Sequence, residues 1–327
     1  MEKHDPVTDL HHCRDPIFIL GIMQRSGTNF LKDVVQLHPD CGFPGHPLVE
    51  DYLAQNTEWL LRYTGSVARD WNGLGRINKE DGSPVDYSPL QEELAHCLGN
   101  GIISFLQARI GDKRLLTKTP SVRNLKHFFE FFPNARLIIV VRDGRAVVES
   151  GVKSFGWQYE RGFQEWADAA RSIIDFDKKH QNSKDKYLIV RYEDVLQNLE
   201  IEIKKILVFL ELEVTTYDLQ TALNLPVRGS STVRSESDQM LWKAVDKPNN
   251  FNPLERWKSW EPGLHKRFNW IAGDCMQELG YELKREHTNS FLSNVINNIL
   301  DAKLAAIDKS KEIYTQIKQV FNPRSSL

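Results

Sequence analysis

The sequence has few cysteines, no long apolar run and no strong excess of either charge. Its four cysteines lie far apart among 327 residues and form no C-x-x-C pair. This spacing excludes a disulfide framework and a cysteine zinc site, and it predicts reduced thiols in a cytosolic protein. No apolar run approaches the roughly 20 residues that span a bilayer, and the N-terminus lacks the pattern of a signal peptide. We therefore expect a cytoplasmic protein without a membrane partner.

Charge and metal-ligand patterns argue against two further kinds of partner. The net charge is only −2, which gives no general attraction to nucleic acid, so any anion site must be local. The ten histidines form no H-x-x-x-H or H-E-x-x-H pair, and we expect no metal site. Nothing in the sequence indicates an oligomeric state.

Two short segments stand out because each joins an apolar run to a helical pattern. Residues 21–29 (GIMQRSGTN) follow the apolar run 16–20, and apolar residues at helical spacing come after them. Residues 142–150 (RDGRAVVES) follow the run 136–141, which is typical of a buried parallel strand. A turn that opens a helix presents backbone N–H groups at the positive end of the helix and can hold a phosphate. Two such turns predict a ligand with two separated phosphates.

Apolar runs typical of strands alternate with helical patterns along the chain. After the first turn and helix, the pattern predicts strands over 114–117, 137–141 and 186–191 and helices over 124–132 and 201–210. This alternation is typical of an α/β fold, a P-loop-like doubly wound parallel sheet flanked by helices.

The rest of the chain suggests its division into segments. Residues 1–15 are polar and predict a flexible N-terminal arm, and residues 16–285 predict a single domain. Within that domain, glycine and proline in residues 63–90 predict a long loop, either a surface insertion or a cover over a substrate. Residues 286–327 carry apolar side chains every seven residues, including Ile299, and predict an amphipathic helix that docks on its own domain.

The first turn is not a Walker A loop, which needs a glycine, four residues and then Gly-Lys-Ser/Thr. Gly21 and Gly27 are one residue too far apart, and the positive charge lies ahead of the second glycine, at Arg25. A P-loop kinase or nucleoside triphosphatase remains an alternative, but the absence of the Walker A lysine argues against it. A nucleotide-binding protein without turnover is the alternative from a different class.

Several motifs, in order along the chain, resemble those of sulfotransferases that use 3′-phosphoadenosine 5′-phosphosulfate (PAPS). Residues 24–31 (QRSGTNFL) resemble the family's 5′-phosphosulfate loop, and residues 142–150 resemble its 3′-phosphate site. Residues 116–120 (LTKTP) are similar to its lysine-X-proline turn, and residues 190–194 (VRYED) to its tyrosine-bearing strand end. The resemblance spans about residues 16–283 and implies a single sulfotransferase domain.

Other segments are similar to the tyrosylprotein-sulfotransferase branch of that family. They are the closing-loop segments 234–239, 247–250 and 256–257 and the His-Pro-Asp sequence at 38–40. Members of that branch are typically membrane-anchored, and this chain shows no anchor. The resemblance implies transfer of a sulfuryl group from PAPS. The expected lack of an anchor and the predicted loop over 63–90 favour a hydroxyl or amine of a small molecule as the acceptor. Sulfation of a peptide tyrosine is the alternative.

The resemblance also implies roles for individual residues. The 5′-phosphate would be held by Arg25, Ser26, Gly27, Thr28 and Asn29. Lys118, in a turn after its strand, would reach the bridging oxygen, while Arg142 and Ser150 would bind the 3′-phosphate. Tyr192 would also contact the nucleotide, unless it packs in the core. In the closing loop, the family's serine falls at Ser235 or Ser237 and its basic residue at Arg256, and both would contact the nucleotide. Arg145 is expected to form a surface pair with Glu149.

The resemblance also implies a general base after the first helix, and three residues are candidates for it. An ungapped count from the first turn places His46 at the position of the glutamate of the tyrosylprotein branch, but the surrounding prolines and glycines make a gap plausible. We prefer Glu50, then His46, then Asp51, because a carboxylate stays unprotonated near neutral pH and burial can tune it upward.

Overall fold

The structure, a computed structural model, describes residues 15–74, 86–225, 252–284, 294–306 and 309–310. Residues 1–14 of the predicted arm lie outside this part. The chain divides into two units, Met1–Lys258 and Ser259–Leu327, which we describe separately.

Five parallel strands form the sheet of the first unit. In chain order they are β1 (Ile17–Gly21), β2 (Cys41–Gly42), β3 (Arg114–Thr119), β4 (Arg136–Val141) and β5 (Tyr187–Arg191). Their spatial order is β2-β3-β1-β4-β5, and every neighbouring pair is parallel. From β1 the chain passes to β2 at one edge, returns to β3 beside β1, and then adds β4 and β5 on the other side. This confirms the predicted doubly wound α/β fold.

Helices follow or connect these strands. In the first unit they are α1 (Thr28–Gln36), α2 (Thr57–Leu74), α3 (Ser88–Gln107), α4 (Phe128–Phe131), α5 (Gly144–Phe155), α6 (Tyr159–Lys179), α7 (Tyr192–Gln197), α8 (Leu199–Phe209) and α9 (Leu219–Leu223). Helix α1 shows why they pack on the sheet. Its residues Phe30, Leu31, Val34 and Val35 recur at helical spacing, and all four are buried.

The register brings the carboxyl ends of the three central strands together. Leu20 of β1 pairs with Thr119 of β3, and Gly21 pairs with Val140 of β4. The turn after β1 and Arg142 after β4 therefore lie at the same edge of the sheet. In doubly wound sheets, ligand sites lie at this edge, where the strand order reverses beside the first strand.

Two elements differ in extent from their predictions. Strand β3 continues beyond residue 117 to Thr119, so Lys118 is an enclosed strand residue and not a turn lysine. The predicted helix over 124–132 is reduced to a 3-10 turn, Leu125–His127, followed by the short α4. Asn124 adopts the left-handed conformation, with φ of 63°, so the helix begins only after it.

The predicted loop over residues 63–90 is wrong over much of its length. Helix α2 extends to Leu74 and α3 begins at Ser88, while residues 75–85 lie outside the described part. Thr64 and Ala68 are buried on α2, which packs against α3. Burial of this face outweighs the cost of Gly65, about 1 kcal/mol for a glycine inside a helix.

Among the described residues of the second unit are α10 (Pro262–Glu278) and a helix over 294–306. The Arg267 guanidinium donates to the Asp301 carboxylate at 2.6 Å, and the Trp270 indole donates to its other oxygen at 2.9 Å. These contacts group α10 with the C-terminal segment, whereas the sequence predicted a boundary near residue 285. Ile299 of the heptad pattern is 63% exposed and Asn297 is buried, so the heptad stripe is not the packed face of this helix.

Candidate active site

A tight turn joins β1 to α1 and surrounds the start of that helix. The Ile22 N–H donates to the Val140 carbonyl at 2.9 Å and ties the turn to β4. Arg25 and Gly27 adopt left-handed conformations, with φ of 73° and 100°. That conformation is strained for arginine, and such strain is concentrated at ligand sites. The turn faces the first N–H groups of α1, which have no acceptor within the helix and form a site for an anion.

Close packing beneath the turn requires glycine at two positions. A Cβ on Gly21 would lie 2.3 Å from the Ser26 hydroxyl, and one on Gly27 would lie 2.2 Å from the Tyr192 ring. Tyr192 is buried, and burial raises the pKa of its phenol. Its ring also makes an edge-on contact with Phe30. Tyr192 is therefore a neutral core residue that supports the turn.

Two arginines converge on the hydroxyl of Ser150, and a third is bound to the backbone of one of them. Arg25 Nε donates to Ser150 Oγ at 3.0 Å, and Arg256 Nη1 does so at 3.5 Å. Arg142 donates to the backbone carbonyl of Arg25 at 2.7 Å, and its guanidinium lies 4.7 Å from the Tyr192 ring centre. We call these three arginines and Ser150 the arginine cluster.

The arginine cluster concentrates positive charge in a largely buried place. Burial, together with the charges of Arg142 and Arg256, lowers the pKa of Arg25 to about 10. Burial and the charge of Arg142 also lower the pKa of Arg256. Like charges repel unless an anion lies among them, and guanidinium groups bind phosphate through paired hydrogen bonds. The sequence interpretation placed Arg25 at the 5′-phosphate, whereas its guanidinium lies in this cluster beside the predicted 3′-phosphate residues.

The described part of the closing loop, residues 252–258, is attached to the end of β4 and the start of α5. Arg142 Nη2 donates to the Pro253 carbonyl at 2.6 Å. The Arg145 guanidinium lies 3.7 Å from the centre of the Trp257 ring, a cation–π contact. These contacts hold Arg256, which lies between the two attached residues, next to Ser150.

The surroundings of Arg145 correct the predicted surface pair. Arg145 is buried and binds the Asp143 carboxylate through two nitrogens, the shorter contact being 2.7 Å. Glu149 is buried as well and binds Lys153 and the Tyr159 hydroxyl, each at 2.7 Å. Arg145 therefore anchors the start of α5 and supports Trp257, instead of forming a solvated pair.

An ion pair lies towards the carboxyl end of β3. Lys118 Nζ is 3.1 Å from Glu50 Oε1; the lysine side chain is fully enclosed, whereas that of Glu50 is 20% exposed. Burial lowers the pKa of Lys118, and the Glu50 charge opposes that effect. A buried cation next to a partly exposed carboxylate combines charge stabilisation with a group that can accept a proton.

The residue after Glu50 holds this part of the loop in place. Asp51 is buried and accepts hydrogen bonds from the Leu53 N–H at 2.7 Å and from the Thr117 hydroxyl. Thr119 donates a further hydrogen bond at 3.3 Å. Burial raises the pKa of Asp51, and these hydrogen bonds oppose the rise. Asp51 is thus directed into the protein, where it fixes the position of its neighbour.

The second candidate base, His46, lies in a different environment. Its side chain is exposed and makes no hydrogen bond or ion pair within the described part of the chain. Of the three candidates, only Glu50 contacts Lys118 directly while it remains accessible to solvent. The assignment of the base to Glu50 stays a prediction, and this geometry supports it.

Sequence reasoning missed two residues next to the ion pair. The Tyr52 hydroxyl donates to Glu50 Oε2. Lys32 is buried on α1, where it binds Asp33 and Gln36, and its charge contributes to the lowered pKa of Lys118. The spacing of Tyr52, two residues after the favoured base, was the one local signal available.

Some predictions fall elsewhere. Ser235 and Ser237 lie outside the described residues. Within the described ranges, no group of three or more His, Cys, Asp or Glu side chains is placed to hold a metal. None of the helices described is both long and apolar enough to cross a membrane.

Comparison with known proteins gives the family. A model described as "Sulfotransferase family" matches residues 16–216. The chain belongs to the sulfotransferase family. A protein-tyrosine sulfotransferase of Drosophila melanogaster is 27% identical over 282 residues, which are 82% of this chain and 52% of the relative. Protein-tyrosine sulfotransferase A of Caenorhabditis elegans is 23% identical over 268 residues, 76% of this chain and 63% of the relative.

These relatives confirm the resemblance to the tyrosylprotein branch. The chain spans only 52% and 63% of their lengths. Among solved structures, the sulfotransferase domain of a Synechococcus olefin synthase is 21% identical, with 86% of this chain and 99% of that domain covered and a TM-score of 0.50. At that identity, the similarity shows the fold alone.

Proposed function

We propose that this sulfotransferase transfers a sulfuryl group from PAPS to an acceptor hydroxyl. The arginine cluster carries the proposal, because it would form a largely buried anion site at the same sheet edge as the turn before α1 and the Lys118–Glu50 pair. Two anion sites at one edge match a donor with phosphates at both its 3′ and 5′ positions. When bound, PAPS supplies the sulfuryl group and a phosphate leaving group.

Two buried polar atoms support the fit of such a nucleotide. Ser26 Oγ and Arg142 Nε are buried and have no hydrogen-bond partner within the described part of the chain. A buried polar atom without a partner is costly, and a phosphate oxygen nearby would satisfy a donor of this kind. Ser26 lies in the turn and Arg142 lies in the arginine cluster. Each proposed phosphate site therefore has a hydrogen-bond donor that a phosphate oxygen could satisfy.

The ion pair supports the proposed chemistry. Sulfuryl transfer resembles phosphoryl transfer, in which positioning and charge stabilisation dominate. Lys118 would stabilise negative charge that develops on the leaving oxygen. Glu50, which is partly exposed, would accept the proton of the acceptor hydroxyl.

Two acceptor classes remain in the proposal. The sequence argument for a small molecule relied partly on a loop over 63–90, most of which is helical where it is described. The relatives are named protein-tyrosine sulfotransferases, which favours a peptide tyrosine at least as much. A phenolic hydroxyl satisfies both classes and is the first acceptor to test.

The test compares nucleotides first and acceptors second. Calorimetry should show binding of adenosine 3′,5′-bisphosphate, the desulfonated donor, and much weaker binding of ATP with magnesium. The reverse order would favour the kinase or triphosphatase alternative. A PAPS-dependent screen of small phenols, alcohols, amines and tyrosine peptides, read by mass spectrometry for an added sulfonate, should then yield a product. Tight bisphosphate binding without any product would favour the non-catalytic alternative.

A further inference from the structure

Three consecutive residues form a unit around the candidate base. Asp51 is held inside by Leu53 N–H and two threonine hydroxyls of β3. Its neighbours Glu50 and Tyr52 then emerge on the outer side, where they contact each other. Tyr52 has φ of 54°, a left-handed conformation that is unusual for a residue with a bulky side chain. Strain of this kind, next to a reactive group, points to a functional constraint.

The backbone reversal at Tyr52 is held from both sides. Its carbonyl accepts a hydrogen bond from Asn56 Nδ2 at 2.8 Å, which ties it to the turn before α2. The preceding residue is fixed by β3, as described above. The ring of Tyr52 is therefore kept close to Glu50 by the fold, although the residue as a whole is 36% exposed.

The two oxygens of Glu50 have different donors. Oε1 faces the Lys118 ammonium at 3.1 Å, and Oε2 accepts from the Tyr52 hydroxyl. A carboxylate oxygen has two acceptor positions, so each oxygen keeps one position for another proton donor. With donors on both oxygens, the carboxylate has one defined orientation in which an acceptor hydroxyl can approach.

Tyr52 is able to act as a donor across the working pH range. Burial and its contact with Glu50 raise the pKa of Tyr52 to about 12, so its hydroxyl keeps its proton. Lys118 contacts one oxygen of the Glu50 carboxylate and would stabilise the leaving oxygen of the sulfuryl donor. The Tyr52 hydroxyl contacts the other oxygen of the Glu50 carboxylate. The two donors therefore have separable effects.

We propose that Tyr52 is a positioning residue for the general base, because its hydroxyl holds Glu50 Oε2 and stabilises the ionised carboxylate. This inference rests on the proposed function, in which Glu50 accepts the acceptor's proton. Tyr52 itself takes no part in the transfer. Its effect is on the orientation of Glu50.

The test is Tyr52→Phe, which keeps the ring and removes the donor. Because a hydrogen bond to a charged group is lost, kcat should fall roughly tenfold, while affinity for adenosine 3′,5′-bisphosphate stays unchanged. A merely structural role would lower stability, and its effect on kcat would not depend on the carboxylate of Glu50.

Tyr187→Phe is the matched control. Tyr187 also donates its hydroxyl to a carboxylate, that of Asp177 at 2.8 Å, but it lies at the amino end of β5, on the opposite edge of the sheet. Removal of this hydroxyl should leave kcat unchanged. An equal change in the two variants would overturn the proposal, because loss of any such hydrogen bond would then suffice.

A double-mutant cycle with Glu50→Gln shows whether Tyr52 acts through the base. In the Glu50→Gln background, Tyr52→Phe should cause little further loss of kcat, because the carboxylate that it positions is gone. Equal losses in both backgrounds would overturn the proposal. If Glu50→Gln impairs turnover and Tyr52→Phe does not, this inference fails while the proposed function stands. Absence of any turnover by the unaltered chain would remove both.

Discussion

The arginine cluster beside β4 and the Lys118–Glu50 pair beside β3 differ in how their charges are balanced. In the cluster, like charges are held together by a serine hydroxyl and backbone carbonyls, and burial with mutual repulsion lowers the pKa of Arg25. In the pair, a buried ammonium faces a carboxylate that solvent still reaches. The first region brings like charges together, and the second pairs opposite charges.

This difference indicates two separate roles, anion binding and turnover, at one edge of the sheet. A site in which three positive charges meet gains most from an anion that stays bound throughout a reaction. A neutral pair gains little from a resident anion, but it can exchange a proton and stabilise charge that appears only during a reaction. We therefore expect substitutions in the cluster to change nucleotide affinity and substitutions in the pair to change turnover.

The largest effect is expected from Glu50→Gln. The amide keeps the size of the side chain but cannot take a proton, so turnover should fall by roughly 10²–10⁴ while affinity for adenosine 3′,5′-bisphosphate is retained. His46→Ala, which alters an exposed side chain, should cause a much smaller loss of turnover. Steady-state kinetics and calorimetry check both variants. An inactive His46→Ala with an active Glu50→Gln would show that the ungapped count was right. If both stay active, Asp51 is the next position to change.

Lys118→Ala should rank second. Its charge matters most as the leaving group forms, so kcat should fall by about 10²–10³, more than the affinity for the desulfonated nucleotide. Single-turnover kinetics with PAPS and calorimetry with the bisphosphate separate the two quantities. Equal losses in both would place Lys118 with the binding residues and would remove the contrast between the two regions.

Arg142→Ala should show the opposite division. Loss of its charge-assisted hydrogen bonds should weaken binding of adenosine 3′,5′-bisphosphate by about 1.5–3 kcal/mol. Arg136→Ala is the matched control, because Arg136 begins the same strand at the opposite edge of the sheet and binds Glu211 there. Calorimetry should detect no change for this control. Unchanged affinity in Arg142→Ala would contradict the assignment of the 3′-phosphate site.

The smallest effect concerns stability and pH. Burial raises the pKa of Asp51 above its unfolded value, so its stabilising contribution is complete below about pH 4, the ordinary aspartate range, and is lost as pH rises through the folded pKa. Asp51→Asn should remove that loss, and urea denaturation between acid and neutral pH should give it a flatter stability profile. A profile parallel to that of the unaltered chain would refute this.

Asp218 supplies a contrast of opposite sign. Hydrogen bonds from Thr221 lower the pKa of this exposed residue, which caps α9. Its contribution to stability is present above the ordinary aspartate pKa and is lost as pH falls through the folded value. Asp218→Asn should therefore cost stability at neutral pH and little in acid, as the same denaturation series would show.

Four of the five strands described and the two turns were predictable because their signals are local, whereas the two-residue β2 was not predicted. The run 136–141 matches β4 residue for residue, and the first apolar run matches β1 apart from its ends. The loop predicted over residues 63–90 was wrong because glycine and proline are also local signals. The packing of α2 on α3 outweighed these signals. Lys118 was recognised from its motif, but its full enclosure depends on strands and loops distant in sequence.

The sequence by itself determined the order of strands and helices along the chain, the glycine-containing turn before α1 and the identities of the charged residues. Each of these depends on neighbours within about one helical turn or strand. Only the tertiary structure decided which charges meet. Arg25 reaches Ser150 across 125 residues, and Glu50 reaches Lys118 across 68. Asp51 turns inward and Tyr52 turns back on Glu50 because strand β3 supplies the hydroxyls that hold Asp51. Such pairings depend on sheet register and burial, which no local pattern contains.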